Sequence, residues 1–560
     1  RMEDDSATQD GSLKELLDQE YYLTKVLGHL LDYGLHECRR VCSKWYDVCN
    51  RMPVKLGRIS VEEIPTIVNK FPNAARVVVI FRDNSFEGWA WNDEIAKRIE
   101  SLRRLKGLES LKLCLPSEIW FERDVLNLCN SLEKTLQSMQ QLRSLYITGR
   151  NNVQAYMHIQ SVLSYLTGLK RLCWVSPSGG LGSSIPSGQL CCEPFTEIRD
   201  IGHLCIQSLC LQNGQLVFPS LTHLTSLCVI YQTETAKNFE GGFLQMILPY
   251  ASSLRSLTIY AQNNCISVRT DWALLREFSQ LSSVEFRWLR LRFDELQNLY
   301  AALGSLNLTH LGFEMCHFPS DFVEKLEAVR SLTSLRSFRF DSPSEDIHKA
   351  ISVMPHLTSL RMQELNVTES LTGLSELRAL KFHCTNQSSL YLVAVLFCMP
   401  DLESLNIRAV FCPQPLSMSC FSQLKKLTSL TLSGFGLCDD FEMLADLSGL
   451  VELTLSQCNF PSQSTFSGVK SLTILKKLVV GDIGPVRLDP TTVLLEGKLS
   501  ALRYLRVSYC FGYPKEVKSD VSEVCNSLSA LRRWQRIYPF ESMIPNLSSG
   551  CDHVFEDLST

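Results

Sequence analysis

From Leu108 to Val507 the apolar side chains follow a template, Leu-x-x-Leu-x-[apolar], with mainly polar residues in the gaps. Clear copies are Leu142-Arg-Ser-Leu145-Tyr-Ile147, Leu254-Arg-Ser-Leu257-Thr-Ile259, Leu402-Glu-Ser-Leu405-Asn-Ile407, Leu427-Thr-Ser-Leu430-Thr-Leu432 and Leu502-Arg-Tyr-Leu505-Arg-Val507. The template or a close variant recurs sixteen times, with first positions at residues 108, 142, 169, 206, 224, 254, 281, 308, 335, 357, 377, 402, 427, 450, 475 and 502. Fifteen intervals span 394 residues, a mean of about 26. Alternation of the last two apolar positions predicts a short strand with those side chains turned inward. The return path is predicted helical: Asp321-Phe-Val-Glu-Lys-Leu-Glu-Ala-Val329 places Phe322, Val323, Leu326 and Val329 at helical spacing.

This motif at this period is that of leucine-rich repeats. The expected fold is an α/β horseshoe solenoid of about 16–17 repeats, with parallel strands on the concave side and bulkier helices outside. Such a fold grows by stacking, so 560 residues need not divide into several globular cores. Each buried leucine contributes roughly 1.5–3 kcal/mol, and its truncation to Ala costs about 2–5 kcal/mol. The spacing breaks at Ser176–Gly188, Thr233–Gly242 and Phe411–Met418, which read as tolerated insertions on a rigid frame.

Residues flanking the third apolar position project onto the concave face. In successive repeats they are Glu285/Arg287, Gly312/Glu314, Arg339/Asp341, Arg361/Gln363, Lys381/His383 and Asn406/Arg408. Arg339, Arg361, Lys381, His383 and Arg408 would fall on four adjacent strands and form a positive patch roughly 15 Å across. Guanidinium forks suit carboxylate or phosphate, so these five are the candidate substrate- or ligand-binding residues. The alternative is an ordinary solvated face on which Glu314 and Asp341 act as local counter-ions.

Composition adds limits. Hydrophobic content of 45% and charged content of 20% describe an ordered chain. A net charge of −4 supplies no field favouring nucleic acid or an anionic membrane. The longest apolar run, Leu390–Met399, is ten residues, too short for a bilayer, and reads as a buried repeat helix. The polar, acidic start is unlike a secretory signal. The 22 cysteines are scattered without zinc-type pairs. Several follow a strand, as Cys316, Cys458 and Cys510 do, where a small buried side chain fits beneath the turn. Free thiols fit a reducing compartment, so the expected location is cytoplasmic and/or nuclear. No P-loop, dinucleotide fingerprint, His-Glu-x-x-His or nucleophile elbow is present, so no catalytic residue, metal or cofactor is expected. An enzyme hidden in the repeats is the remotest of the function classes.

Residues 11–56 depart from the repeat, after a tail at 1–10. They read as short helices, Leu23-x-x-Val26-Leu27-x-x-Leu30 and Leu35-His-Glu-Cys-Arg-Arg-Val41-Cys42-Ser-Lys-Trp45, separated at Asp32-Tyr-Gly34. A block this small buries little of its own apolar surface. It either covers the first repeat or offers a ridge to a partner. Trp89 and Trp91 lie in the link that follows and read as packing at the junction. The solenoid is assigned to 57–513 and a cap to 514–560, where Val517–Leu531 reads as helix and Arg532–Arg536 departs from the repeat.

Val41-Cys-Ser-Lys-Trp45, preceded by the spaced leucines, resembles the F-box motif, although that family's opening Leu-Pro is absent and the first proline is Pro53. With the repeats, the chain resembles the F-box/leucine-rich-repeat proteins. The resemblance implies a small all-α F-box domain before the solenoid and a non-catalytic substrate receptor of an SCF-type ubiquitin ligase. It implies a Skp-type adaptor as partner and, through it, cullin, with Leu23, Val26, Leu27, Leu30, Leu35, Val41 and Trp45 as adaptor-binding candidates. The repeats would bind a protein substrate, acidic or phosphorylated if the basic patch receives it. The alternative function is an interaction scaffold that joins no ligase.

Overall fold

The computed structural model describes residues 54–80, 93–114, 122–148, 163–175, 201–207, 221–231, 243–261, 270–318, 334–341, 351–364, 373–384, 396–409, 421–436, 441–458, 466–481, 501–508 and 533–537, apart from isolated positions within them. The expected F-box helices, the insertions at 176–188, 233–242 and 411–418, Trp89, Trp91, Cys510 and the helices expected at Asp321–Val329 and Val517–Leu531 lie outside those residues. Two compact units divide the chain, Arg1–Gln280 and Leu281–Thr560.

In the first unit the strands are β1 (Val54–Ser60), β2 (Ala74–Ile80), β3 (Ser110–Cys114), β4 (Ser144–Thr148), β5 (Arg171–Val175), β6 (His203–Gln207), β7 (Ser226–Tyr231) and β8 (Ser256–Ala261). Each pairs in parallel with the next in chain order. Leu111, Leu145, Leu172, Leu204, Leu227 and Leu257 share one register row, and all are buried. Between strands run α1 (Ile64–Lys70), α2 (Asp93–Ser101), α3 (Glu122–Gln137) and α4 (Phe243–Ile247). Two of these helices show how little the sequence needs to form them. Ahead of α1, the Ser60 backbone N–H donates to the Glu63 carboxylate at 2.7 Å, and Pro65 occupies the first turn, where no N–H is missed. In α2, Ile95 and Ile99 sit four apart and bury one face, while Glu94 and Arg98 pair on the open side at 3.2 Å.

A recurring corner locks each repeat to the one before it. The carbonyl of Glu109 accepts from the N–H groups of both Arg143 and Ser144, at 2.8 and 2.9 Å. Arg143, Lys170, Gly202 and Thr225 repeat the arrangement, each accepting from two consecutive N–H groups of the following repeat.

The fourth predicted repeat is corrected by this ladder. Ile206 was expected as its first position, but Leu204 is the residue in register with Leu172 and Leu227, and Ile201 is fully buried ahead of it. The run from Ile201 to Leu211 matches the template twice, five residues apart; the pairing of both neighbours selects the earlier match. The earlier β1 was not foreseen, because Val54-Lys-Leu-Gly-Arg-Ile carries no template leucines; it spans the expected 56/57 boundary.

The second unit continues the same plan with β9 (Ser283–Arg287), β10 (His310–Glu314), β11 (Ser337–Asp341), β12 (Ser359–Glu364), β13 (Ala379–Cys384), β14 (Ser404–Ala409), β15 (Ser429–Ser433), β16 (Glu452–Ser456), β17 (Lys477–Gly481), β18 (Tyr504–Ser508) and β19 (Arg533–Ile537). All pair in parallel with their chain neighbours. The back of a repeat is helical in α5 (Phe293–Leu303) but only a 3-10 turn at Phe441–Asp446 and Phe466–Ser471. Of Arg532–Arg536, expected to leave the repeat, Arg533–Arg536 lie in β19, one further rung with Trp534 opposite Leu505.

Beneath β9 to β11 the leucines give way to phenylalanines. Phe286 stacks on Phe313 with centroids 5.3 Å apart, Phe318 meets Phe313 edge-on, and Phe318 stacks on Phe340 at 5.6 Å. Strands β9, β10, β15 and β16 leave the sheet through a left-handed residue, at Trp288 (φ 60°), Met315 (φ 51°), Gly434 (φ 80°) and Gln457 (φ 54°). That turn drives the next side chain inward: Leu289, Cys316, Phe435 and Cys458 are all buried. As the sequence suggested, a cysteine there is small enough for the space, and its thiol finds a carbonyl. Cys316 Sγ lies 3.4 Å from Phe286 O, and Cys458 Sγ lies 3.6 Å from Leu432 O. Among the described residues no helix is long and apolar enough to cross a membrane.

Candidate functional site

On β9 to β14 the side chains alternating with the buried apolar row face away from it and form two rows on the opposite side of the sheet. The first holds Glu285, Gly312, Arg339, Arg361, Lys381 and Asn406 in register. The second includes Arg287, Glu314 and Asp341, then His383 opposite Arg408. Arg339, Arg361, Lys381, His383 and Arg408 therefore do lie on four adjacent strands.

They do not form one patch. Arg339 sits at the centre of an ion lattice, with Nη1 2.8 Å from Glu285, Nε 2.9 Å from Asp341, and Nη2 against Glu314. Arg287 binds Glu285 at 2.7 Å and Glu314 at 3.2 Å. Arg361 closes the far side, 3.2 Å from Asp341 and 3.8 Å from Glu314. Three carboxylates thus answer three guanidiniums. Arg287, Arg339 and Asp341 are only 5%, 8% and 7% exposed. Arg287 Nε, Glu314 Oε2 and Arg339 Nη2 lie within ion-pair distance of opposite charge yet are out of line for a hydrogen bond. Attraction there is Coulombic without the angular gain.

Arg339 is consequently removed from the expected ligand-binding set: its charge is met by three carboxylates on three strands. Arg361 is tied to two of them. Glu314 and Asp341 do serve as counter-ions, as the sequence alternative had it, but within a buried lattice and not on the ordinary solvated face it described. The share of Glu285 went unforeseen, although Glu285-Phe-Arg287 already places two opposite charges on one side of a strand. Gly312 is the less obvious participant. A Cβ at that position would stand 2.8 Å from Glu285 Cγ, so only a bare backbone leaves room for Glu285 to reach over β10 to Arg339.

Beyond the lattice, Lys381 and His383 on β13 face Asn406 and Arg408 on β14. Lys381, His383 and Asn406 are half-buried and Arg408 is exposed; no ion pair engages Arg408 among the described residues. Burial holds His383 below the ordinary histidine range, helped by the charges of Arg408, Arg361 and Lys381 and opposed by Asp341. At neutral pH it is an uncharged imidazole. Strand β12 carries a register shift at this place, with Arg361 opposite Lys381 but Glu364 opposite His383, and such bulges re-aim side chains.

The adaptor-binding candidates Leu23, Val26, Leu27, Leu30, Leu35, Val41 and Trp45 lie outside the described residues. Among the described residues no group of three or more His, Cys, Asp or Glu could hold a metal ion.

One strand per repeat, a parallel ladder, a buried leucine row and a varied exposed face make each unit a leucine-rich-repeat solenoid. No protein-family model and no curated protein matches the chain. Among solved structures it is similar to an internalin from Listeria monocytogenes at 14% identity, covering 73% of this chain and 88% of that one, with a TM-score of 0.23. It is also similar to a leucine-rich-repeat protein from Leptospira interrogans at 13% identity, covering 80% and 94% of the two chains, with a TM-score of 0.28. The assignment of the fold rests on the ladder itself.

Proposed function

We propose that the chain is the substrate-recognition subunit of an SCF-type ubiquitin ligase. Its N-terminal block docks a Skp-type adaptor, and through it cullin, while the exposed strand face of the repeats holds the target protein. The observation that carries this reading is the pairing, in one chain, of the Val41-Cys42-Ser-Lys-Trp45 block with a repeat sheet whose exposed rows change from strand to strand. Glu285, Arg339, Lys381 and Thr431 occupy the same row within the second unit. A face of fixed backbone and varying side chains is suited to recognising another protein. The receptor needs no catalytic group; it raises the effective concentration of its target beside a ubiquitin-loaded enzyme. Work in the cytoplasm or nucleus belongs to this reading. The second reading, a scaffold outside any ligase, keeps the same face and lacks only the adaptor.

Affinity capture of the full chain beside a Val41→Ala/Trp45→Ala variant, with the proteasome inhibited, separates the two. Adaptor and cullin recovered with the parent and lost with the variant support the ligase; their absence from both captures leaves the scaffold.

A further inference from the structure

We draw no further inference here: the strongest candidate, the row of Cys173, Cys205 and Cys228 that strand register sets side by side on β5, β6 and β7 next to His203, carries nothing, because no group of three or more His, Cys, Asp or Glu among the described residues could hold a metal ion.

Discussion

Glu285 and Arg339 are bonded at 2.8 Å although a whole strand, β10, runs between theirs. The bridge passes over Gly312, the one residue in that row with no side chain to obstruct it. Local sequence, strand register and a long-range ion pair meet at a single glycine.

Gly312→Ala therefore should destabilise the second unit by about 1–3 kcal/mol, the usual range for forcing atoms into a filled site. Glu285 is pinned by Arg287 and Arg339 and cannot swing clear. A double-mutant cycle with Glu285→Ala, followed by urea unfolding, checks this. The alanine at 312 should cost much less once Glu285 is gone, and equal costs in both backgrounds would refute the steric account.

Arg339→Met keeps the aliphatic length and removes the charge shared by three carboxylates. Breaking a buried ionic cluster from one side typically costs about 3–5 kcal/mol. The expected unfolding midpoint falls accordingly, and Glu314→Gln in the same chain should restore part of it.

Acid should weaken the first unit through His203. Its Nδ1 lies 2.8 Å from Ser226 Oγ, while Nε2 is buried without a partner. Burial, aided by Arg171, pulls its pKa down to about 4 from an ordinary 6.5. The unfolded chain takes up the proton first. This contribution to stability is complete above pH 6.5 and is lost as pH falls toward 4, by up to about 3 kcal/mol at about 1.4 kcal/mol per unit. Unfolding midpoints at pH 7, 5 and 4 should drop more for the parent than for His203→Gln. Parallel curves would show that another group is responsible.

Thiol reactivity should follow burial. Desolvation raises the Cys458 thiol to about 11, and Cys316, Cys173, Cys228 and Cys384 are buried with it, whereas Cys114 and Cys398 are partly open. Among these seven, iodoacetamide should label Cys114 and Cys398 in the native chain and reach the others only after denaturation. Early labelling of Cys458 would contradict the packed turn.

Much of the fold was legible because one chemical rule repeats. Leucines such as Leu145, Leu257 and Leu405 occupy their predicted inward row. The misplacement of Ile206 shows the limit of pattern reading: a run with two overlapping matches is resolved only by the neighbours it pairs with. The candidate site was half legible. Spacing put Arg339, Arg361, Lys381, His383 and Arg408 on adjacent strands, because strand register follows from the template. Spacing could not apportion charge. That Arg339 belongs to Glu285 depends on a contact 54 residues away in sequence and on the space left open at Gly312. The N-terminal block is known from its residues alone.

The corner carbonyls that accept two N–H groups, at Ser282, Thr309, Arg336, Thr358, Arg378, Glu403, Thr428 and Val451 in the second unit, tie each rung from β9 to β17 to its immediate neighbours. Such a lattice tolerates editing in whole units. Excising one complete repeat rejoins equivalent edges, whereas deleting a single strand residue rotates the remainder by half a pleat and turns its leucines toward water. Length can drift through gain or loss of entire modules; phase cannot.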